Sequence, residues 1–267
     1  MNTKKFFDTL GLNGTRWQWR MMLWEKKIKQ SFRAPIQGGG LPLHKILIAL
    51  NIVCFVVMVV QGGMAGRNVF TTIISPDTNL LIHVGAQYWP LVLNEGEWWR
   101  MLTYAFTHGG ILHLVFNMVV LYQVGPLLES EIGRSRFFIL YTLTALTATL
   151  ADLLWHPEMP IVGASGALFG LIGFAIAWYH RLGGFQAIEL RNFMLKWAAF
   201  SFVFALLVGA DNAAHLGGAL GGAAIGFILP MNAWTRRKSD KFCTIFAWGC
   251  ALLIAAAFVG LALSWWR

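Results

Sequence analysis

Long runs of apolar residues, separated by short polar connections, dominate the pattern of this chain. Seven runs come close to or exceed the roughly 20 residues that an α-helix needs to cross the hydrocarbon core of a membrane. The pattern therefore predicts an all-α fold, a polytopic membrane helix bundle. The predicted spans are 44–61, 100–123, 136–155, 163–180, 193–210, 213–230 and 243–264.

Lysine and arginine are distributed unevenly between the connections on the two sides of such a bundle. With the N-terminus placed inside, the inner segments and their flanks hold 18 of the 21 basic residues, and the outer segments hold three. Basic residues favour the cytoplasmic side of a membrane. The bias therefore predicts seven spans, with the N-terminus inside and the C-terminus outside.

Three parts of the chain are predicted from this arrangement. Residues 1–43 form a cytosolic basic segment, residues 44–230 contain the first six spans, and residues 231–267 contain a basic loop and the seventh span. Within the first part, apolar positions over 15–30 recur at helical spacing, which favours an amphipathic helix on the inner membrane surface or packed on the loops. We expect no cleaved signal peptide, because no short apolar run followed by small residues precedes the first span.

Composition strengthens the membrane assignment and narrows the possible partners. Hydrophobic residues make up 57% of the chain and charged residues only 12%, about half the share of roughly 25% in soluble proteins. The net charge of +9 would suggest nucleic acid in a soluble protein. Here the basic residues flank apolar runs, so we expect contact with anionic lipid and no nucleic acid. The three cysteines match no zinc pattern, and we expect no metal or other cofactor.

Two polar residues inside predicted spans carry the candidate chemistry, because polar groups in a membrane are costly. Ser165 lies in the run Gly163-Ala164-Ser165-Gly166 at the outer end of the fourth span, where small neighbours expose its hydroxyl. His215 lies near the start of the sixth span. Both spans run from outside to inside, so the two side chains lie at similar depth. This agreement favours a nucleophile and a general base over a serine that only caps its helix.

The helices around these residues also carry informative patterns. Small residues at 166, 170 and 173 and at 218, 222 and 226 form stripes, which predict close packing of the fourth and sixth spans. His113 and Asn117 share one helix face and favour oxyanion stabilisation over a simple interhelical contact. Asp211 is more often a helix cap in this position than a group that orients His215. His108 is expected at the interface.

Several short motifs occur in a fixed order along the chain. They are Glu97-Trp98-Trp99-Arg100, His108-x4-His113-x3-Asn117, Glu129 with Gly133, Gly163-Ala164-Ser165-Gly166, and Ala214-His215-x2-Gly218 with Gly222. In this order the motifs resemble those of the rhomboid intramembrane serine proteases.

The resemblance implies a fold, a site and an activity. The fold is a six-helix rhomboid-like core over 44–230 plus one C-terminal transmembrane helix. The site is a dyad of Ser165 and His215, with an oxyanion hole from His113, Asn117 and the Ser165 backbone. Gly163, Gly166 and Phe169 are implied as supporting residues. The activity is cleavage of single-span transmembrane proteins near their outer end.

Two positions depart from the family pattern. The Glu-x-Arg expected after the second span is Glu129-Ser130-Glu131 here. A salt bridge at this place is therefore absent or uses Arg134 or Arg136. Phe169 stands where the family often has a tyrosine that stacks on the histidine, so we expect the stacking without the hydroxyl.

Alternative functions remain open at this level. A catalytically silent adaptor of the same fold is one, and a transporter that relays protons through its histidines is another. An aspartyl pair of Asp152 and Asp211 has no supporting pattern. We expect the membrane to be a bacterial inner membrane. The sequence does not predict the oligomeric state.

Overall fold

The computed structural model describes Thr15 and the ranges 41–207 and 212–266. Apart from Thr15, the amphipathic helix predicted over 15–30 lies outside the described residues. Pro42–Arg267 form one compact unit. Within the described ranges the secondary structure is helical, apart from one isolated antiparallel bridge between Gln87 and Ile161. The prediction of an all-α fold is therefore confirmed.

Seven helices of 17 to 25 residues make up most of the described chain, and each overlaps one predicted span. Shorter helices connect them. In chain order the helices are α1 (Leu43–Met64), α2 (Val69–Ile74), α3 (Thr78–His83), α4 (Trp89–Asn94), α5 (Arg100–Thr103) with a 3₁₀ turn at Tyr104–Phe106, α6 (Ile111–Ile132), α7 (Arg134–Trp155), α8 (Ser165–Leu182), α9 (Gly184–Leu207), α10 (Asn212–Ile228), α11 (Ala233–Lys238) and α12 (Asp240–Ser264).

Four of the described helices are long and apolar enough to cross a membrane, namely α1, α6, α7 and α12. Helices α8 and α10 are shorter, with 18 and 17 residues, and contain several glycines. The bundle thus combines these four helices with α8, α9 and α10.

The second long helix begins later than the sequence predicts. Residues 100–110 form α5, the 3₁₀ turn and a loop, and α6 begins only at Ile111. The boundary lies at Gly110, whose φ of +127° is accessible mainly to glycine. A β-carbon at Gly110 would also lie 2.2 Å from the carbonyl oxygen of Ile74. The close approach of Gly110 to the last residue of α2 therefore sets the start of α6, and the predicted start at residue 100 is wrong.

Helix α8 lies at the centre of the bundle, in contact with α7, α9 and α10. Most of its residues are buried, including Leu171, Phe174 and Trp178. Apolar burial alone does not drive helices together in lipid, so association depends on close packing between small residues. The glycines of α8 and α10 supply that packing, and they fix the ends of both helices relative to each other.

Candidate active site

The nucleophile candidate Ser165 is the first residue of α8 and follows a sharp turn. Gly163, two residues earlier, has a φ of +112°, which disfavours any residue with a β-carbon. A β-carbon there would also lie 2.7 Å from Nε2 and from Cε1 of His113. The turn that precedes Ser165 therefore requires glycine at 163 for two reasons. Its backbone conformation favours glycine, and a β-carbon would have no space beside His113.

The imidazole of His215 lies next to this hydroxyl. Nε2 of His215 is 2.7 Å from Oγ of Ser165, although the two residues are 50 positions apart in the sequence. The ring of Phe169 stacks on the imidazole, with 4.4 Å between centroids and 20° between planes. His215 is 5% exposed. The structure thus brings together the two residues that were chosen from the sequence. The stacked ring of Phe169 restrains the orientation of the imidazole plane.

Direct backbone contact between α8 and α10 makes this approach possible. A β-carbon at Gly222 would lie 1.9 Å from the carbonyl oxygen of Gly170, and one at Gly173 would lie 2.1 Å from that of Ala219. No residue larger than glycine fits at either position without moving a helix. The two stripes predicted from the sequence therefore face each other.

His113 and Asn117 place two nitrogens beside the turn before the nucleophile. The position of a β-carbon on Gly163 is 2.7 Å from Nε2 of His113 and 3.5 Å from Nδ2 of Asn117. The amide of Gly109 donates to Nδ1 of His113 at 3.4 Å. In a neutral imidazole that bond assigns the proton to Nε2. Both side chains therefore place a nitrogen donor next to Gly163, two residues before Ser165.

The segment before α8 is held by backbone hydrogen bonds to an earlier part of the chain. The amide of Gly163 donates to the carbonyl of Tyr104 at 2.9 Å. Gln87 and Ile161 exchange two hydrogen bonds, of 3.0 and 2.9 Å. Sequence analysis missed these groups, because a main-chain donor or acceptor gives no residue-type signal.

Other polar residues from the sequence analysis lie elsewhere. His108 is fully buried within the protein, and its ring packs edge-on to that of His113 with 5.2 Å between centroids. Asp152 accepts a hydrogen bond from Nε1 of Trp89 at 2.9 Å. Asp211 lies outside the described residues. Among the described residues there is no cluster of three or more His, Cys, Asp or Glu side chains suited to a metal ion.

Glu129 binds the start of α1, a partner that the sequence did not reveal. Its carboxylate accepts hydrogen bonds from the amides of Leu43 at 2.8 Å and His44 at 3.1 Å, and it lies 2.6 Å from Nδ1 of His44. Arg134, which the sequence suggested as a partner, is more distant at 3.8 Å. Arg136 instead binds the first residue of α12 at 2.7 Å. The first long helix is thus attached to the C-terminal end of α6 through a buried carboxylate.

Comparison with known proteins now identifies the family. The family model described as the Rhomboid domain matches residues 95–232, slightly more than half of the chain. This region contains all of the motifs quoted above. The chain belongs to the rhomboid family and is an integral membrane protein, so the resemblance inferred from the motifs is confirmed.

Individual relatives support the same assignment at moderate identity. The chain is 29% identical over 255 residues to Rhomboid protease GluP of Bacillus subtilis. The matched region covers 91% of this chain and 44% of the relative. It is 31% identical over 206 residues to RHOMBOID-like protein 2 of Arabidopsis thaliana, covering 70% and 64%. It is 29% identical over 191 residues to Rhomboid-like protease 3 of Toxoplasma gondii, covering 69% and 70%. The chain thus spans less than two thirds of the first two relatives.

Proposed function

We propose that this chain is an intramembrane serine endopeptidase that cleaves single-span transmembrane proteins near the outer side of the membrane. Ser165 is the nucleophile and His215 the general base. The observation that carries the proposal is the 2.7 Å distance between Oγ of Ser165 and Nε2 of His215. That distance lies within the range of about 2.6–3.2 Å in which an imidazole can take the proton of an attacking hydroxyl.

The reaction proceeds through an acyl-enzyme. As Oγ of Ser165 attacks the carbonyl carbon of the scissile peptide, its proton passes to Nε2 of His215. The resulting imidazolium gives this proton to the leaving amine, the C–N bond breaks, and an ester on Ser165 remains. Water, deprotonated by the same nitrogen, then hydrolyses the ester and restores the hydroxyl. Neither step requires a metal or an organic cofactor.

Donors from α6 stabilise the negative charge on the carbonyl oxygen. The Nε2–H of His113 and the Nδ2 of Asn117 lie next to Gly163, and the first turn of α8 adds backbone N–H groups that have no partner within the helix. In a soluble serine protease, loss of one such donor lowers kcat by about 10²–10³. The same order of magnitude is expected here.

The arrangement in the membrane follows from the positions of Ser165 and His215 at the N-terminal ends of α8 and α10. With an inside N-terminus and seven spans, both ends lie near the outer face, where water reaches the acyl-enzyme. Residues 44–230 then form the catalytic core, and 231–267 add one helix with an outside C-terminus. A bacterial inner membrane is the proposed location.

A substrate helix enters this site from the side. Helices α6 and α9 meet through Phe116, next to Asn117 in the sequence. Its ring stacks on that of Phe204 with 4.1 Å between centroids and 14° between planes, and its centroid lies 5.7 Å from that of Phe200. Since stacked aromatic pairs contribute only about 0.5–1.5 kcal/mol beyond their burial, the two helices can part at modest cost. The substrate must also unwind locally, because a helix occupies its own carbonyl oxygens with backbone hydrogen bonds.

The decisive experiment uses the full chain, purified in detergent and incubated with a panel of single-span membrane proteins. Cleavage and labelling by a fluorophosphonate probe are both expected for the parent chain, and both should be lost in Ser165→Ala and His215→Ala. Ser130→Ala and His180→Ala serve as matched controls, because these exposed residues lie at the inner ends of α6 and α8. A parent chain that neither cleaves nor labels, or activity that survives Ser165→Ala, would overturn the proposal.

A further inference from the structure

The outer end of α12 is attached to the segment that connects α1 to α6. Trp265, the residue after α12, donates from Nε1 to the carbonyl oxygen of His83 at 2.8 Å. Its ring also stacks on that of His83, with 5.7 Å between centroids and 23° between planes. About two turns earlier, Phe258 packs edge-on against Phe106 with centroids 5.4 Å apart. The contact thus includes both a hydrogen bond and aromatic packing.

Between these contacts, α12 and the segment that connects α1 to α6 pack so closely that glycines at the contact have no space for a β-carbon. A β-carbon at Gly260 would lie 2.8 Å from Cε3 of Trp99, a ring that is 6% exposed. A β-carbon at Gly85 would lie 2.9 Å from a methyl carbon of Leu261. Glycine at 260 therefore allows the helix to lie directly on the indole of Trp99, and any larger residue must displace one of the two.

The segment that receives α12 is internally cross-linked. Arg100 donates from Nη1 to the carbonyl of Ala86 at 3.0 Å, and Thr103 donates to the carbonyl of Gly85 at 2.8 Å. Thr107 donates to the carbonyl of Val84 at 3.1 Å. These bonds tie the 3₁₀ turn and α5 to residues 84–86, so a displacement at Trp99 or His83 is transmitted through the whole segment.

The same segment holds the turn that carries the nucleophile. The only described backbone hydrogen bonds from residues 157–164 to the segment 83–107 are the two between Gln87 and Ile161 and the one from Gly163 to Tyr104. Ser165 follows Gly163 by two residues. A continuous series of contacts therefore runs from α12 through the segment 83–107 to the catalytic turn.

We propose that α12 is a positioning element for Ser165, acting through Trp99, His83 and the segment 83–107. This inference rests on the proposed function, because the property that it sets is the alignment of the nucleophile. A misplacement of 1 Å can cost about 100-fold in rate even when the mutation is far from the chemistry. The helix beyond the six-helix core thus contributes to catalysis without touching the substrate.

Two glycines of α12 provide a matched pair of variants. Gly260→Val forces a side chain against Trp99, whereas Gly249→Val adds the same side chain to the same helix at a position with no atom within 4 Å. Trp265→Phe is a milder test that keeps a smaller aromatic ring near His83 and removes the N–H donor. It covers the case in which Gly260→Val does not fold.

Each variant is measured in three ways after its thermal unfolding has been compared with that of the parent. The measurements are the rate of fluorophosphonate labelling at Ser165, kcat and KM for a transmembrane substrate, and hydrogen–deuterium exchange of peptides covering 157–165. For Gly260→Val we expect labelling and kcat to fall by about tenfold or more, an unchanged KM, and faster exchange at Ile161 and Gly163. Trp265→Phe should change labelling, kcat and exchange in the same directions but by smaller amounts. Gly249→Val should give the same values as the parent.

The exchange measurement separates this inference from the proposed function. If the parent chain does not label, the protease proposal fails, while faster exchange at 161–163 in Gly260→Val alone still supports the coupling. If folded Gly260→Val and Trp265→Phe exchange at 161–163 as the parent does, the positioning role of α12 is overturned. Equal losses of kcat in Gly260→Val and Gly249→Val would overturn it as well.

Discussion

Gly218 on α10 lies against the backbone of Gly166 on α8, and a β-carbon at 218 would be only 2.0 Å from the carbonyl oxygen of Gly166. Gly218 is three residues after His215, and Gly166 is one residue after Ser165. This contact therefore sets the separation of the two helices at the level of the hydroxyl and the imidazole.

Gly218→Ala should separate Ser165 from His215. The added methyl group has no space, so the helices must move apart, at a cost of about 1–3 kcal/mol in the free energy of unfolding, as for other overpacked cores. We expect fluorophosphonate labelling to be lost in the fraction that remains folded. Gly63→Ala is the control, because its β-carbon meets nothing closer than 3.7 Å. Retained labelling in Gly218→Ala would contradict this role of the contact.

Phe169→Leu should lower the rate of cleavage between about twofold and tenfold, which corresponds to the 0.5–1.5 kcal/mol of an aromatic stack. The leucine keeps an apolar side chain but removes the ring that stacks on the imidazole of His215. Phe169→Tyr keeps the ring and should retain the parent rate. Steady-state kinetics with one substrate decides between these results, and equal rates for the leucine and tyrosine variants would argue against orientation by stacking.

Asn117→Ala should lower kcat by about 10²–10³ with little change in KM, because an oxyanion donor acts mainly in the transition state. Asn51→Ala is a close control. Both side chains are buried, and each donates to the carbonyl four residues earlier, at 3.1 Å for Asn117 and 2.8 Å for Asn51. Only Asn117 lies beside Gly163. If the two variants lose kcat to the same extent, Asn117 has a structural role alone.

Glu129→Ala should destabilise the protein by about 1–3 kcal/mol, the range for leaving buried hydrogen-bonding groups without their partner. The variant leaves the amides of Leu43 and His44 without their acceptor at the start of α1. Glu95→Ala, on an exposed loop residue, should be neutral. Chemical denaturation in detergent measures the difference, and a near-neutral Glu129→Ala would show that solvent replaces the carboxylate.

Phe204→Ala should accelerate cleavage of a transmembrane substrate between about twofold and tenfold by removing the stack on Phe116. Labelling by the small fluorophosphonate should not change, since that probe does not need the helices to part. Phe202→Ala on the same helix serves as the control, because this side chain is 46% exposed and points away from the bundle. Slower cleavage in Phe204→Ala alone would mean that the stack supports the site rather than closing it.

The helices follow closely from the sequence, and the physical reason is the solvent. Backbone groups in a lipid core have no water to bind, so an apolar run of about 20 residues has to satisfy them within a helix. Each of the seven predicted runs overlaps a long helix for this reason. The prediction failed for residues 100–110, because the end of that run depends on contact between Gly110 and Ile74 rather than on composition.

The residue types of the candidate site could be predicted from the sequence, but their arrangement in space could not. Helix direction and depth selected Ser165 and His215, and helical spacing paired His113 with Asn117. The acceptor for Gly163 is a main-chain carbonyl of Tyr104, which any residue type supplies equally. The partner of Glu129 lies 85 residues away at the start of another helix, and local spacing gave only Arg134 and Arg136 as candidates.

The amino-acid sequence by itself determined the family and the helical character, and it supplied the proposed orientation and the candidate nucleophile and base, since these depend on composition, spacing and charge along one dimension. Tertiary structure alone decided the 2.7 Å approach of Ser165 to His215 and the attachment of α12 to Trp99 and His83. Such contacts depend on how helices distant in sequence pack, and that packing is set by excluded volume and main-chain hydrogen bonds.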